Sequence, residues 1–367
     1  YKNIAKLHVD FGELDQAKTV LANAIKYFPD SLFFPYRLSS LDNKALSPEL
    51  FNKLSLQASD NVTPENRFYH YWLLSKYASK EYEPISEMEY LTKAHAVYLE
   101  TTAFHYDANY FLKGLKQASI SAKEKFEPLK NVQMHELSPI FIVGVPRCGS
   151  TLIENIICSG PEHILKGEEP SVISHVVMDN VGKDDSGFWL NFKNQSNEHY
   201  QKIGLHKENV RFTDKSLENI FLIDFILTLY PKAKIIYCER TPLASIVSIL
   251  KNNMESLSWA HKLEDILQYV ENSLNAIEQF TEKYPESIYK IKYEELVKNP
   301  EDESKKLMAF CDLEWNESCL SFHDKNDLIS KTASHIQIRK KINHNSLNQY
   351  KTYEPFFFNA KKQYVWL

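Results

Sequence analysis

The sequence has no Cys-x-x-Cys pair, no apolar run long enough to cross a membrane and no excess of positive charge. Its five cysteines are scattered and odd in number, which disfavours a zinc site or a disulfide framework and suits a reducing compartment. The net charge of -5 disfavours a sequence-independent nucleic-acid binder, because that role needs a basic face to release counterions.

The N-terminus also has no basic segment followed by an apolar one, the pattern of a secretory signal. We therefore expect a cytoplasmic protein without a membrane span. The first residue is Tyr1 rather than Met, which leaves open a removed leader or a longer parent chain. What the chain does contain, 43% hydrophobic and 13% aromatic residues in 367, is enough to build two domains with sizeable cores.

Two regions of different pattern succeed each other along the chain. Residues 1–127 carry short amphipathic helical segments, and residues 128–367 alternate strands with helices. Residues 11–29 resemble part of a tetratricopeptide unit, with a weaker echo at residues 68–98. We expect an all-α tetratricopeptide-like region that packs on the second region or continues a longer array, and that offers a surface to a protein partner. Ordinary helix packing is the alternative explanation of its alanines.

The second region has the pattern of an α/β domain, a parallel sheet covered on both faces by helices. The expected strands are residues 140–143, 233–238 and 287–290, and the expected helices are residues 151–158, 217–229, 243–252, 263–283 and 302–311. In such folds ligands bind at the carboxyl ends of the strands. Most polar motifs of this region fall at those ends.

The most informative motif is a loop that lacks a lysine. Residues 139–152 run from a buried-strand pattern through a loop bounded by Gly144 and Gly149 into an apolar helix. This is the spacing of a phosphate-binding P-loop, but Ser150 stands where such loops place the lysine that reaches β- and γ-phosphates. Arg147, the backbone N–H groups and the helix N-terminus still favour an anion. The loop predicts a site for a sulfated or phosphorylated nucleotide without a γ-phosphate, and a purely structural turn is the alternative.

A second motif begins at Phe212-Thr-Asp-Lys215 and continues to Ser248. With the loop, it resembles the sulfotransferases, specifically the bacterial tetratricopeptide-repeat sulfotransferases related to protein-tyrosine sulfotransferases, over about residues 139–353. The resemblance implies a P-loop-like sulfotransferase domain at residues 128–367. It also implies transfer of a sulfuryl group from 3′-phosphoadenylyl sulfate (PAPS) to a hydroxyl of a peptide, glycan or small molecule. Adenosine 3′,5′-bisphosphate (PAP) would be the product, with no metal required.

The resemblance assigns the cofactor contacts residue by residue. A family loop that binds the 5′-phosphosulfate is matched by Pro146, Arg147, Cys148, Gly149, Ser150 and Thr151. An arginine and a serine that bind the 3′-phosphate are matched by Arg240 and Ser248, and the planar guanidinium suits a phosphate. Pairing of Arg240 with a surface carboxylate is the alternative.

Later segments add further candidate contacts. Tyr293, in a Tyr-Glu-x-Leu-Val motif, and Ser334 match residues near the nucleotide, and Arg339 belongs to the segment that closes over it in the family. Gln349 stands where relatives usually have a basic residue, which leaves Lys351 or Arg339 as substitutes. The loop also departs from the family in having cysteine where serine is usual, but it acts mainly through backbone N–H groups, so we expect binding to survive.

The transfer needs a general base for the acceptor and cations for the leaving phosphate. By resemblance, the Gly-Glu-Glu triplet supplies the base as Glu169, with Glu168 as the other candidate. A solvated first helical turn is the alternative for this pair. Lys215 and Arg147 would stabilise the leaving group, and an ordinary surface lysine is the alternative for Lys215. Two other functions stay open: a non-catalytic interaction protein with a vestigial pocket, and a nucleotide kinase, which the missing loop lysine disfavours.

Overall fold

The computed structural model describes residues 1–56, 63–102, 107, 137–180, 188–205, 210–322, 342 and 347–367. The N-terminal part of these residues is helical, as expected. Its α-helices are α1 (Lys2–Asp10), α2 (Leu14–Tyr27), α3 (Phe33–Leu41), α4 (Pro48–Leu56), α5 (Pro64–Lys80) and α6 (Pro84–Thr101). The expected boundary near residue 127 lies outside the described residues.

Small and apolar residues hold these helices together. Ala17 and Ala24 of α2 have no exposed surface, and neither does Ala94 of α6, while Leu21 is 2% exposed. A methyl side chain lets the backbones of two packed helices approach closely, which explains why these positions are buried. The helical hairpins are therefore established, and their assignment to the tetratricopeptide class stays a prediction.

The second region contains a parallel sheet, which confirms the α/β expectation. Its strands are β1 (Ile140–Val143), β2 (Thr213–Asp214), β3 (Lys234–Glu239) and β4 (Ile288–Lys292). Their order is β2-β1-β3-β4, and every pairing is parallel. β1 is buried at all four positions because it is a central strand of a sheet covered on both faces. The carboxyl ends of the strands meet at one edge.

Helices connect the strands and succeed the last one. They are α7 (Ser150–Cys158), α8 (Val172–Asn180), α9 (Phe188–Lys202), α10 (Ile223–Leu229), α11 (Pro242–Leu250), α12 (Leu263–Lys283), α13 (Tyr293–Lys298), α14 (Pro300–Phe310) and α15 (Phe358–Gln363). Short 3₁₀ helices occupy Leu217–Phe221, Ser258–His261, Glu317–Cys319 and Gln349–Phe357.

The expected single helix over residues 217–229 is wrong in its first part. Leu217–Phe221 forms a 3₁₀ helix, and α10 begins only at Ile223. The cause is the buried carboxylate of Asp214, whose Oδ1 accepts hydrogen bonds from Ser216 N at 2.9 Å and Asn219 Nδ2 at 3.3 Å. These contacts hold the chain in a tighter turn before the α-helix begins.

The helical region packs directly on the sheet domain, as expected. Trp72 of α5 and Leu91 of α6 share one buried apolar cluster with Ile246 of α11 and Val270 of α12. Lys251, at the end of α11, forms an ion pair of 2.7 Å with Glu87 of α6. The joint between the two regions therefore combines an apolar core with buried polar contacts.

The five cysteines, all within the described residues, form no disulfide bond. Among the helices that the structure describes, none combines the length and apolar character needed to cross a bilayer. The described residues also contain no group of three or more His, Cys, Asp or Glu side chains placed to hold a metal ion.

Candidate functional site

The loop after β1 has the geometry of an anion cradle. Arg147 and Gly149 both adopt left-handed backbone conformations, with φ of 71° and 99°. Gly149 is the residue that precedes α7, so the loop leads its N–H groups into the N-terminus of a helix nine residues long. Ser150 and Thr151, in the first turn, are each 6% exposed. Loop and helix end together favour an anion at this place.

Close contact with a tyrosine explains why the loop needs a glycine at its end. A Cβ atom added to Gly149 would lie 2.3 Å from Cδ2 of Tyr293, much closer than real Cβ contacts allow. Tyr293 is the first residue of α13 and comes directly after β4. The guanidinium carbon of Arg240 lies 4.7 Å from the centroid of the same ring, a cation–π distance. The structure thus places Gly149, Tyr293 and Arg240 side by side.

Two arginines come together at the loop. Arg147 Nε donates a hydrogen bond to Ser248 Oγ at 3.1 Å, and Arg240 Nη1 donates one to the backbone carbonyl of Arg147 at 2.6 Å. Burial, and secondly the positive charge of Arg240, lowers the pKa of the Arg147 guanidinium. Arg240 Nε is buried with no hydrogen-bond partner among the described residues. Two neighbouring cations with buried N–H capacity form a site that an anionic ligand would stabilise.

Two other residues of the loop lie in the protein interior. Pro146 and Cys148 are buried, and Cys238 of β3 donates a hydrogen bond from its Sγ to the carbonyl of Cys148 at 3.0 Å. The side chain of Cys148 is 1% exposed and points into the core, so it does not offer a hydroxyl-like donor to a ligand. This placement agrees with a loop that binds through its backbone.

Lys215 and Glu169 form an ion pair beside the loop. Lys215 is fully buried, and its Nζ lies 2.7 Å from Oε1 of Glu169, whose side chain is 53% exposed. Burial by itself lowers the pKa of Lys215, but the carboxylates of Glu154, Glu169 and Glu168 outweigh burial and the pKa is raised. A surface role for this lysine is therefore excluded. The pair consists of a buried ammonium and a carboxylate that reaches solvent.

The Gly-Glu-Glu triplet lies in an irregular connection before α8, not in a first helical turn. A Cβ atom on Gly167 would lie 1.9 Å from the carbonyl oxygen of Thr213, so only glycine lets this segment approach β2 so closely. Glu168 has φ of 55°, and its carbonyl accepts a hydrogen bond from Lys215 N at 2.8 Å. The side chain of Glu168 is directed toward Lys166, at 4.0 Å, while Glu169 is the carboxylate that contacts the lysine.

Some candidates fall elsewhere. Ser334 and Arg339 lie outside the described residues, so their proposed contacts stay predictions. Gln349 begins the 3₁₀ helix Gln349–Phe357, and Lys351 is an exposed residue of the same helix.

The sequence interpretation missed two polar residues of the site. Glu154 of α7 is fully buried and accepts hydrogen bonds from Glu168 N at 3.0 Å and from Thr213 Oγ1 at 2.9 Å. Thr213 belongs to the two-residue strand β2. The signal in the sequence was a single glutamate among the isoleucines of an apolar helix, a residue type that is almost never buried unless paired.

Comparison with known proteins assigns the class of this domain. Residues 139–317 match the sequence model described as the sulfotransferase family. This segment is just under half of the chain and contains β1 to β4 and the loop, and the match supports a sulfotransferase-family domain there.

Two curated relatives are similar to this chain at low identity. The chain is 26% identical over 364 residues to an uncharacterized protein of Aquifex aeolicus, a match that covers 94% of this chain and 47% of that protein. It is 24% identical over 202 residues to a protein-tyrosine sulfotransferase of Drosophila melanogaster, which covers 50% of this chain and 40% of the relative. The chain thus spans less than half the length of these two relatives.

Among solved structures, the chain is similar to the sulfotransferase domain from the Synechococcus PCC 7002 olefin synthase, with a TM-score of 0.45 and 16% identity over 60% of this chain and 90% of that one. The sulfotransferase domain from the curacin biosynthetic pathway gives a TM-score of 0.41 and 16% identity over 62% of this chain and 99% of that one.

Proposed function

We propose that this chain transfers a sulfuryl group from PAPS to a hydroxyl acceptor. The observation that carries the proposal is the 2.7 Å contact between the fully buried Nζ of Lys215 and Oε1 of the partly exposed Glu169, at the edge of the sheet where the anion cradle lies. A cation fixed in a dry place and a carboxylate open to solvent are the two groups that the reaction requires.

The binding half of the proposal rests on the arginine pair. Arg147 and the backbone N–H groups of the loop would hold the 5′-phosphosulfate, and Arg240 with Ser248 would hold the 3′-phosphate. Tyr293 contacts both Arg240 and the Gly149 end of the loop, where its ring would flank the nucleotide. The position usual for the P-loop lysine is serine, which removes the group that would reach a γ-phosphate and disfavours phosphoryl transfer from ATP.

The proposed reaction is a single displacement at sulfur. The acceptor oxygen forms a bond to sulfur while the bond between sulfur and the bridging phosphate oxygen breaks, and PAP leaves with both electrons of that bond. Glu169 takes the acceptor proton, and Lys215 with Arg147 stabilises the negative charge that develops on the leaving phosphate.

The acceptor to test first is a tyrosine hydroxyl. Two curated relatives carry protein-tyrosine sulfotransferase names, one of them described as putative. The candidate base is 53% exposed, so it is open to an acceptor carried on a large molecule. A glycan hydroxyl and a small phenol are the other acceptor classes.

The experiment is transfer of label from [³⁵S]PAPS to a tyrosine-containing peptide, an oligosaccharide or 4-nitrophenol, with calorimetric binding of PAP in parallel. We expect label in at least one acceptor and a loss of about 100-fold or more in Lys215→Met, because one preorganised electrostatic group typically contributes that much. PAP binding with no transfer to any acceptor would contradict the enzymatic assignment. No PAP binding at all would favour an interaction protein instead.

A further inference from the structure

Glu154 is a carboxylate inside an apolar helix. Its neighbours Ile153, Ile156 and Ile157 on α7 are fully buried, and Glu154 also has no exposed surface. Removing a charged carboxylate from water costs several kcal/mol unless it is paired and hydrogen-bonded. A buried residue with this cost beside the candidate site requires a compensating set of contacts.

Those contacts tie three segments together. Oε1 of Glu154 accepts hydrogen bonds from Glu168 N at 3.0 Å and from Thr213 Oγ1 at 2.9 Å. The same Thr213 hydroxyl oxygen accepts a hydrogen bond from Gly167 N at 3.1 Å. The helix of the anion loop, the Gly-Glu-Glu segment and β2 are therefore joined through one carboxylate, immediately beside Glu169 and Lys215.

Glu154 also interacts electrostatically with Lys215. Burial raises the pKa of Glu154, while Lys215 and Lys166 act in the opposite direction. The carboxylates of Glu154, Glu169 and Glu168 all raise the pKa of Lys215 against the effect of burial, Glu154 through its charge and Glu169 through both its charge and its hydrogen bond. Glu154 therefore contributes negative charge that helps to balance the buried ammonium.

The remaining acidic group near Lys215 has other partners. Asp214 accepts hydrogen bonds from Tyr200 OH at 2.6 Å, from Ser216 N at 2.9 Å and from Asn219 Nδ2 at 3.3 Å. By contrast, Oε2 of Glu154 is buried and has no hydrogen-bond partner among the described residues. Of these two fully buried carboxylates, Glu154 is the one with an oxygen still able to accept.

We propose that Glu154 is a positioning residue for sulfuryl transfer: it holds the Gly-Glu-Glu segment against β2, and it balances the charge of Lys215 while Glu169 takes up the acceptor proton. The inference rests on the proposed function. When Glu169 becomes neutral, its ion pair with Lys215 loses the negative partner. The charge of Lys215 and the hydrogen bonds from Glu168 N and Thr213 Oγ1 favour the ionised form of Glu154 against burial, so Glu154, which is shielded from the acceptor, is the carboxylate left near the ammonium.

Two variants separate the roles of charge and geometry. Glu154→Gln keeps an oxygen that accepts hydrogen bonds from Glu168 N and Thr213 but removes the negative charge. We therefore expect kcat to fall about 10-fold. The alkaline limb of the pH profile of kcat, where Lys215 loses its proton, should move to lower pH. Thr213→Val removes the connecting hydroxyl but keeps the charge, so kcat should fall while that limb stays in place. Glu162→Gln, at an exposed position just beyond the C-terminal end of the same helix, is the matched control.

A titration independent of transfer completes the test. The ¹⁵Nζ signal of Lys215, assigned with Lys215→Arg, should titrate at lower pH in Glu154→Gln than in the wild type. An unchanged titration, or wild-type kcat in Glu154→Gln, would overturn the inference. Failure of the proposed function looks different: the wild type would then transfer no label, whichever way the Lys215 signal behaves.

Discussion

Arg147 Nε donates a hydrogen bond to Ser248 Oγ at 3.1 Å, although the sequence motifs assign these residues to opposite ends of the nucleotide. The contact joins the loop after β1 to α11, the helix after β3. Arg240 reinforces it by donating to the carbonyl of Arg147 at 2.6 Å. The two phosphate-binding motifs are therefore one connected structure.

Loss of the Ser248 hydroxyl should weaken nucleotide binding. In Ser248→Ala the guanidinium of Arg147 loses the acceptor that orients it, and a proposed phosphate donor disappears. A hydrogen bond to a charged group contributes about 1.5–3 kcal/mol, so the Kd for PAP should rise by about 10-fold or more in calorimetry. Ser40→Ala, at an exposed serine of α3, is the control. Equal affinity in both variants would remove Ser248 from the site.

A methyl group on Gly149 should disrupt the loop. Its φ of 99° and the 2.3 Å approach of a Cβ to Tyr293 predict both backbone strain and a steric clash. Gly204 has φ of 78° but no atom within 4 Å of an added Cβ, so Gly204→Ala isolates the strain. We expect urea unfolding to show a loss of about 1 kcal/mol for Gly204→Ala, a larger loss for Gly149→Ala, and weaker PAP binding only in the latter. Similar losses in both variants would show that the contact with Tyr293 contributes nothing.

Acid should weaken the joint between the two regions. His95 of α6 is buried, and its Nε2 lies 2.9 Å from the carbonyl oxygen of Leu250. Its Nδ1 lies 3.0 Å from Nδ1 of His261. Burial lowers the pKa of His95 to about 4. In the unfolded chain the same imidazole has its ordinary pKa near 6.5. The contribution of buried, neutral His95 to the free energy of unfolding is therefore fully present above pH 6.5 and is lost as the pH falls toward 4.

The measurement is urea unfolding across that pH range. The pKa difference corresponds to about 3 kcal/mol for one group, and His95→Gln should remove that part of the pH dependence. His163→Gln, at an exposed position, should leave the dependence as in the wild type. Parallel pH profiles of wild type and His95→Gln would contradict the assignment.

Breaking the ion pair between α6 and the end of α11 should destabilise the same joint. Glu87 is 4% exposed. It forms an ion pair with Lys251 Nζ at 2.7 Å and accepts a hydrogen bond from Tyr353 OH at 2.7 Å. Lys251→Ala leaves a buried carboxylate without its cation, so we expect a loss of about 3 kcal/mol in the free energy of unfolding. Lys305→Ala, which breaks an exposed pair with Glu301, should change the unfolding midpoint little. A small effect of both variants would mean that Glu87 is balanced in another way.

Features with a strong periodic pattern were predictable from the sequence. β1 has the predicted bounds because four consecutive apolar residues form a fully buried central strand, and α12 spans the predicted Leu263–Lys283 because its apolar stripe is long and regular. β2 was missed, since two polar residues, Thr213 and Asp214, carry no strand periodicity and are defined only by pairing with β1.

The candidate site shows the same division. Loop spacing and the Asp-Lys dipeptide led to Arg147 and Lys215 because motifs record local sequence. The contact of Glu169 with Lys215 depends on the path of the chain after Gly167, and the burial of Glu154 depends on how α7 packs against that segment. Contacts between segments that are far apart in sequence leave no local sequence pattern, so they can be identified only in the folded structure.

The most direct test of the central claim is the single-turnover rate of label transfer from [³⁵S]PAPS in Glu169→Gln compared with Glu168→Gln, using whichever acceptor the wild type accepts. The account predicts a fall of about 100-fold or more for Glu169→Gln, because glutamine cannot take the proton, a rate near that of the wild type for Glu168→Gln, and unchanged PAP affinity in both. A wild-type rate in Glu169→Gln, with the loss in Glu168→Gln or in neither variant, would contradict it.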